Sequence, residues 1–236
     1  MIRKFLVFLL VINLTACAEL QQVVNQLPQG GGGILTNTDI AAGLRQALDF
    51  GIEKQVSKLT QTDGFYKNEL VKILLPEELQ KVDKGLRDIG LSKLADEGLK
   101  ALNRAAEDAV KEATPIFVDA VKEITFADAK NILLGNDNAA TQYLNSKTQT
   151  ALYAKFNPVI KNSFSKVGAD EIWKNLITKY NAIPFTTDVN PDLTDYVTGE
   201  ALKGVYTMIA VEEKDIRNNL ASRTTDLLKK VFALQD

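Results

Sequence analysis

Apolar residues recur every three or four positions along almost the whole chain beyond residue 39, and that period confines it to helices. The longest clear stripe is Ile40, Leu44, Ala47, Leu48, Ile52, Val56 and Leu59, with Thr38 or Asp39 as the expected cap and Thr62-Asp63-Gly64 as the stop. A half-buried strand would need alternation with period two, and no stretch shows it convincingly. Val71 to Leu75 is a short apolar run halted by Pro76, and is expected to be a buried connector. Pro76, Glu77 and Glu78 suit the first turn of a second helix. A third runs from Ser92 along an inner face of Leu94, Ala95, Leu99, Leu102, Ala106, Ala109, Val110 and Ala113, with Lys100, Arg104, Glu107, Asp108 and Lys111 expected on its outer face.

Thr114-Pro115 should restart the chain, and Thr125-Phe126-Ala127-Asp128 has capping-box form. A long helix follows through Tyr143, Leu152, Phe156 and Phe164, with a bend expected at Pro158, and another centres on Trp173. Asp192-Leu193-Thr194-Asp195 reads as a second capping box before Tyr196, Val205, Met208 and Ile209, and Leu227 to Phe232 closes the chain. The expectation is all-α: one multi-helix domain over residues 39–236, of about eight or nine helices.

That domain has few chemical means of support besides packing. The chain has no histidine and a single cysteine, Cys17. Zinc sites of Cys/His type, Ser-His-Asp and Cys-His catalysis, and an internal disulfide are all excluded. No metal and no cofactor is expected. About 200 residues are enough for one good core.

Cys17 sits at the end of a different kind of segment. Arg3 and Lys4 precede an apolar run, Phe5 to Leu14, followed by the small residues Thr15 and Ala16. Charged, apolar, small is the order of a secretory signal, and the run is shorter than the roughly 20 residues a spanning helix needs. Leu14-Thr15-Ala16-Cys17 resembles a bacterial lipobox. The resemblance implies a signal peptide over residues 1–16, cleavage between Ala16 and Cys17, a diacylglyceryl group on the Cys17 sulfur, and acylation of the new amine. One acyl chain holds a protein weakly to a bilayer, whereas two or more hold it firmly, at about 0.8 kcal/mol per buried CH₂. Residue 18 is Ala and not Asp, which by analogy with enterobacterial sorting implies the periplasmic side of the outer membrane. Residues 17–38 hold Gln21, Gln22, Gln26, Gln29 and Gly30 to Gly33, a composition expected to form a flexible tether of roughly 25 Å. Without Arg3 and Lys4 the mature chain has 26 basic and 30 acidic groups, a net charge of −4, so nucleic acid is not an expected partner.

Six phrases give the helical part a family likeness. They are Asp63-Gly64-Phe65, Ile73-Leu74-Leu75-Pro76 with Leu79, Leu102-Asn103-Arg104-Ala105-Ala106-Glu107, Pro115-Ile116-Phe117-Val118-Asp119-Ala120, Ala139-Ala140-Thr141-Gln142-Tyr143 and Leu228-Lys229-Lys230-Val231-Phe232. As an ordered set over residues 39–233 they resemble the proteobacterial family catalogued as domain of unknown function 4197. The resemblance implies a helical periplasmic domain behind a signal or lipobox, and it carries no established activity.

Candidate sites are few. Asp188-Val189-Asn190-Pro191-Asp192 imitates the start of a calcium loop, but Leu193 and Gly199 stand where that loop requires Gly and Glu. Extending the stripe of Val205, Met208 and Ile209 by one turn lands on Glu212 and Glu213, with Arg217 a turn beyond. They are either a general acid or base in a pocket, or structural partners of a cation. Phe164, Trp173, Tyr180 and Phe185 either line a ligand pocket or fill the core. Two functions follow. One is a membrane-tethered periplasmic lipoprotein with a non-catalytic binding or structural role, meeting an apolar ligand or an envelope protein. The other is a carboxylate-dependent envelope hydrolase using Glu212 or Glu213. For the anchor, Cys17→Ser should abolish incorporation of labelled palmitate and leave the precursor uncleaved on immunoblots. Labelling of the variant at the wild-type level would refute the lipobox.

Overall fold

The computed structural model describes residues 35–88, 90, 92–166, 169–181 and 192–235. The expected signal peptide, Cys17, most of the expected tether and residues 182–191 lie outside them. Among the described residues there are nine α-helices and no strand: α1 (Asn37–Leu59), α2 (Glu77–Asp88), α3 (Ser92–Val110), α4 (Ala113–Lys122), α5 (Phe126–Leu133), α6 (Ala139–Lys166), α7 (Ala169–Asn181), α8 (Thr194–Asn218) and α9 (Asp226–Phe232). A 3₁₀ turn, Leu220–Ser222, joins the last two.

Two long helices organise the rest. α6 packs on α8 and on α3, and α8 packs in turn on α1, which also carries α4, α5 and α9. The result is one domain with a single continuous core. Leu44, Ile52 and Leu59 of α1, Leu144, Leu152 and Phe156 of α6, and Val197, Ala201 and Val205 of α8 are all buried in it. At the α6–α8 seam the Tyr206 and Thr148 hydroxyls lie 2.8 Å apart. The Tyr206 ring also meets Phe117 of α4 edge to face, with centroids 6.0 Å apart. Burial pushes the Tyr206 phenol up from its ordinary value, and the Thr148 hydrogen bond partly opposes this. Gly204 of α8 lets the backbone come close: a Cβ there would stand 2.7 Å from the Phe65 ring.

Several boundaries differ from the sequence expectation. α1 is capped by Thr36, whose hydroxyl accepts the Asp39 N–H while the Asp39 carboxylate accepts the Thr36 N–H, so Asp39 is the far half of a capping box. The Thr125–Asp128 box is present as expected. The Asp192–Asp195 box is not: Leu193 is the N-cap of α8, and the Asp192 carboxylate accepts the Thr194 N–H at 2.9 Å. The long third helix stops at Val110, and Ala113 belongs to α4, whose third position is Pro115. α6 is continuous across Pro158, which is exposed, so water can reach the carbonyl that the proline leaves without a donor.

Glu107 is the largest departure. Charge pattern places it outside, yet it is only 4% exposed. It is held in by the connector between α1 and α2. This segment has no regular partner, and Val71, Ile73 and Leu75 point inward while Leu74 is exposed. Its buried backbone groups need hydrogen bonds, and α3 supplies them. Glu107 accepts the Phe65 N–H at 3.1 Å. Asn103, fully buried, accepts the Ile73 N–H at 2.8 Å and donates to the Ile73 carbonyl at 2.9 Å, as a neighbouring strand would. Arg104 bridges Glu107 to Asp63. Asp63 itself adopts a left-handed φ of 70° at the turn. Asn103→Ala should lower the stability of the domain by about 3 kcal/mol, since both Ile73 groups stay buried at about 1–3 kcal/mol each. Urea unfolding followed by circular dichroism measures it; a loss below about 1 kcal/mol would show that the connector does not depend on Asn103.

Candidate functional site

The two acidic candidates lie side by side on α8 and turn to different neighbours. Both are buried, at 8% exposure for Glu212 and 7% for Glu213. Glu212 faces α1, where Oε1 accepts from Lys54 Nζ and Oε2 from Gln55 Nε2, each at 2.6 Å. Beside it is a void of about 20 Å³, bordered by Gly51, Ile209 and Phe232, which is room for about one water.

Glu213 faces the α5–α6 junction. Its Oε1 accepts the Ala140 N–H and its Oε2 the Thr141 N–H, both at 2.8 Å, and Oε2 also accepts from the Thr141 hydroxyl. These are first-turn groups of α6, which have no partner within their own helix. Arg217 donates from Nε and Nη2 to Glu213 Oε1 at 3.0 and 2.8 Å. The same guanidinium donates to the Leu133 carbonyl at 3.2 Å and the Ile132 carbonyl at 2.7 Å, at the end of α5. The carboxylate therefore meets the positive end of one helix and the guanidinium the negative end of another. Below this joint Arg223, 1% exposed, donates to the Ile216 and Arg217 carbonyls and lies over the Phe232 ring.

The aromatic candidates divide. Phe164 and Trp173 are each 3% exposed and border one recess of about 280 Å³ between α6, α7 and the start of α8, together with Lys161, Lys174 and Leu193. Tyr180 lies on α7, but its side chain and all of Phe185 fall outside the described residues. So do Ala16, Cys17 and the calcium-like loop apart from Asp192, which serves as a backbone cap. The Thr194 hydroxyl and then its N–H hold the Asp192 carboxyl below its ordinary value. Among the described residues no three His, Cys, Asp or Glu side chains converge as metal ligands would. None of the helices there is long and apolar enough to cross a membrane.

Asn103, Glu107, Gln55 and Thr141 were not legible as site residues. The Asn103–Glu107 pair did leave a trace: both fall four residues apart on the face shared with Leu99 and Val110, where the apolar pattern calls for apolar groups.

Residues 34–233 match the family described as protein of unknown function (DUF4197), and the chain belongs to it. No curated protein and no solved structure matches.

Arg217→Met should destabilise the domain by about 3–5 kcal/mol, because it leaves a buried carboxylate without its cation. Lys54→Met should cost less than about 1 kcal/mol, since the lysine side chain is 62% exposed. Urea titrations of the two variants, made in residues 17–236 carrying Cys17→Ser, compare them directly. Equal losses would overturn the distinction between the two carboxylates.

Proposed function

We propose that this protein is a periplasmic lipoprotein, held to the outer membrane through acyl chains on Cys17, whose helical body has a binding or structural role and no catalytic one. The observation that carries the reading is Leu14-Thr15-Ala16-Cys17: the only cysteine of the chain stands where lipidation requires it, behind a charged start and an apolar run. The family match begins at residue 34, so the 16 residues 18–33 lie between Cys17 and the matched domain. At about 5–6 Å times the square root of their number, they give the body a reach on the order of 20–25 Å from the bilayer.

The non-catalytic part is supported by how the two acids are used. A general acid or base must exchange a proton with substrate within hydrogen-bond reach. Glu212 and Glu213 each have both oxygens engaged by side-chain or backbone donors. A hydrolase built on either would first have to give up a contact between helices.

Fractionation tests the reading. Wild-type protein should sediment with outer membranes, and residues 17–236 with Cys17→Ser, exported behind a cleavable signal peptide, should leave the membrane fraction. Ala18→Asp should move the protein to the inner membrane. Firm membrane association of Cys17→Ser would refute the anchor, and outer-membrane retention of Ala18→Asp would refute the sorting.

A further inference from the structure

A recess of about 510 Å³ lies where three helices end. Leu134 borders it just past α5, Asn218 at the last residue of α8, and Gln235 beyond α9. That size falls within the roughly 300 to 1,000 Å³ of ligand pockets. At the carboxyl end of a helix the backbone groups left over are carbonyls, which only accept hydrogen bonds.

The side chains of the lining continue that bias. Asn218 turns its Nδ2 back to the Lys214 carbonyl, 2.8 Å away, so its Oδ1 points away from that turn of α8. Gln235 gives its Nε2 to the Leu133 carbonyl and keeps its Oε1 on the other side of the amide. In both cases a carbonyl partner settles which end of the amide is the nitrogen. Arg217 spends its guanidinium on Glu213 and on the Ile132 and Leu133 carbonyls, and Glu213 cancels its charge. Asp137 has no hydrogen bond and no ion pair among the described residues. Asp137 and Asn218 are exposed, so a solute can reach their oxygens. The recess therefore offers one uncompensated negative charge and two amide oxygens, while each side-chain donor group in it is already turned to a carbonyl or a carboxylate. An anion would meet only acceptors there. Beside these oxygens Leu134 is 58% exposed and Leu234 is partly buried, which gives the same recess an apolar wall.

We propose that this recess binds a primary alkylammonium ion, with Asp137 as its counter-charge, the Asn218 and Gln235 amide oxygens as its acceptors, and the two leucines beside its chain. The inference rests on the binding role proposed above and gives that role a ligand class, small aliphatic amines.

The probe is pentylammonium, titrated at low ionic strength into nitrogen-15-labelled residues 17–236 carrying Cys17→Ser and followed through the amide signals in NMR. Saturable shifts should centre on Leu134, Gly135, Asp137, Asn218 and Gln235. Pentyltrimethylammonium has the same charge and no N–H to donate, and should bind about tenfold more weakly, the size of one hydrogen bond to a charged group. Asp137→Asn keeps the shape of the side chain and removes its charge. Because residue 137 is exposed, the variant should keep the far-ultraviolet circular dichroism of the parent and bind pentylammonium about fivefold more weakly, the upper end for an exposed ion pair. Shifts centred elsewhere, equal affinity for the trimethyl ion, or unchanged affinity in Asp137→Asn would each overturn the inference. None of these results bears on membrane fractionation, so the ligand can fail while the anchor stands.

Discussion

The salt bridge between Glu213 and Arg217 is the joint on which the middle of the fold depends. A domain made only of helices multiplies helix ends, and each end exposes backbone groups with no partner in their own helix. Where α5 stops and α6 starts, both ends are buried against α8. One turn of α8 answers both, with an anion for the amides of α6 and a cation for the carbonyls of α5. The pair neutralises itself across that turn, so neither charge is left alone in the core.

The same solution recurs at the connector. Residues 63–75 bury Phe65, Val71, Ile73 and Leu75 without being helical, and α3 meets the segment with Asn103, Arg104 and Glu107. Three of the phrases in which the sequence resembles the family have a common physical meaning. Asp63-Gly64-Phe65 makes the turn, Leu102 to Glu107 pairs with it, and Ala139-Ala140-Thr141 presents the amides that Glu213 accepts. These are devices for closing backbone hydrogen bonds inside a helical body. Glu213 of α8 takes part in them through the Ala140 and Thr141 amides.

This leaves a division of labour along the chain. The buried acids of α8 are committed to neighbouring helices, so the outward role we propose falls to the acylated terminus. That division accords with the binding or structural role we propose.

Sequence by itself determined the helical class, most helix positions, the Thr125 capping box, the buried connector and the likeness to the family, because these follow from spacing and local capping chemistry. It also pointed to Glu212 and Glu213, since the apolar stripe runs into them. It did not reveal that Glu107 faces inward, that Thr36 begins α1, or that the two glutamates serve different neighbours. Apart from Thr36, whose partner Asp39 is local, those outcomes depend on groups far away in the chain: Phe65 for Glu107, Gln55 for Glu212, Ala140 and Ile132 for the Glu213–Arg217 pair. A charged residue on a helix reads as exposed until something distant supplies the hydrogen bonds that bury it, and only the tertiary structure decides which distant group that is.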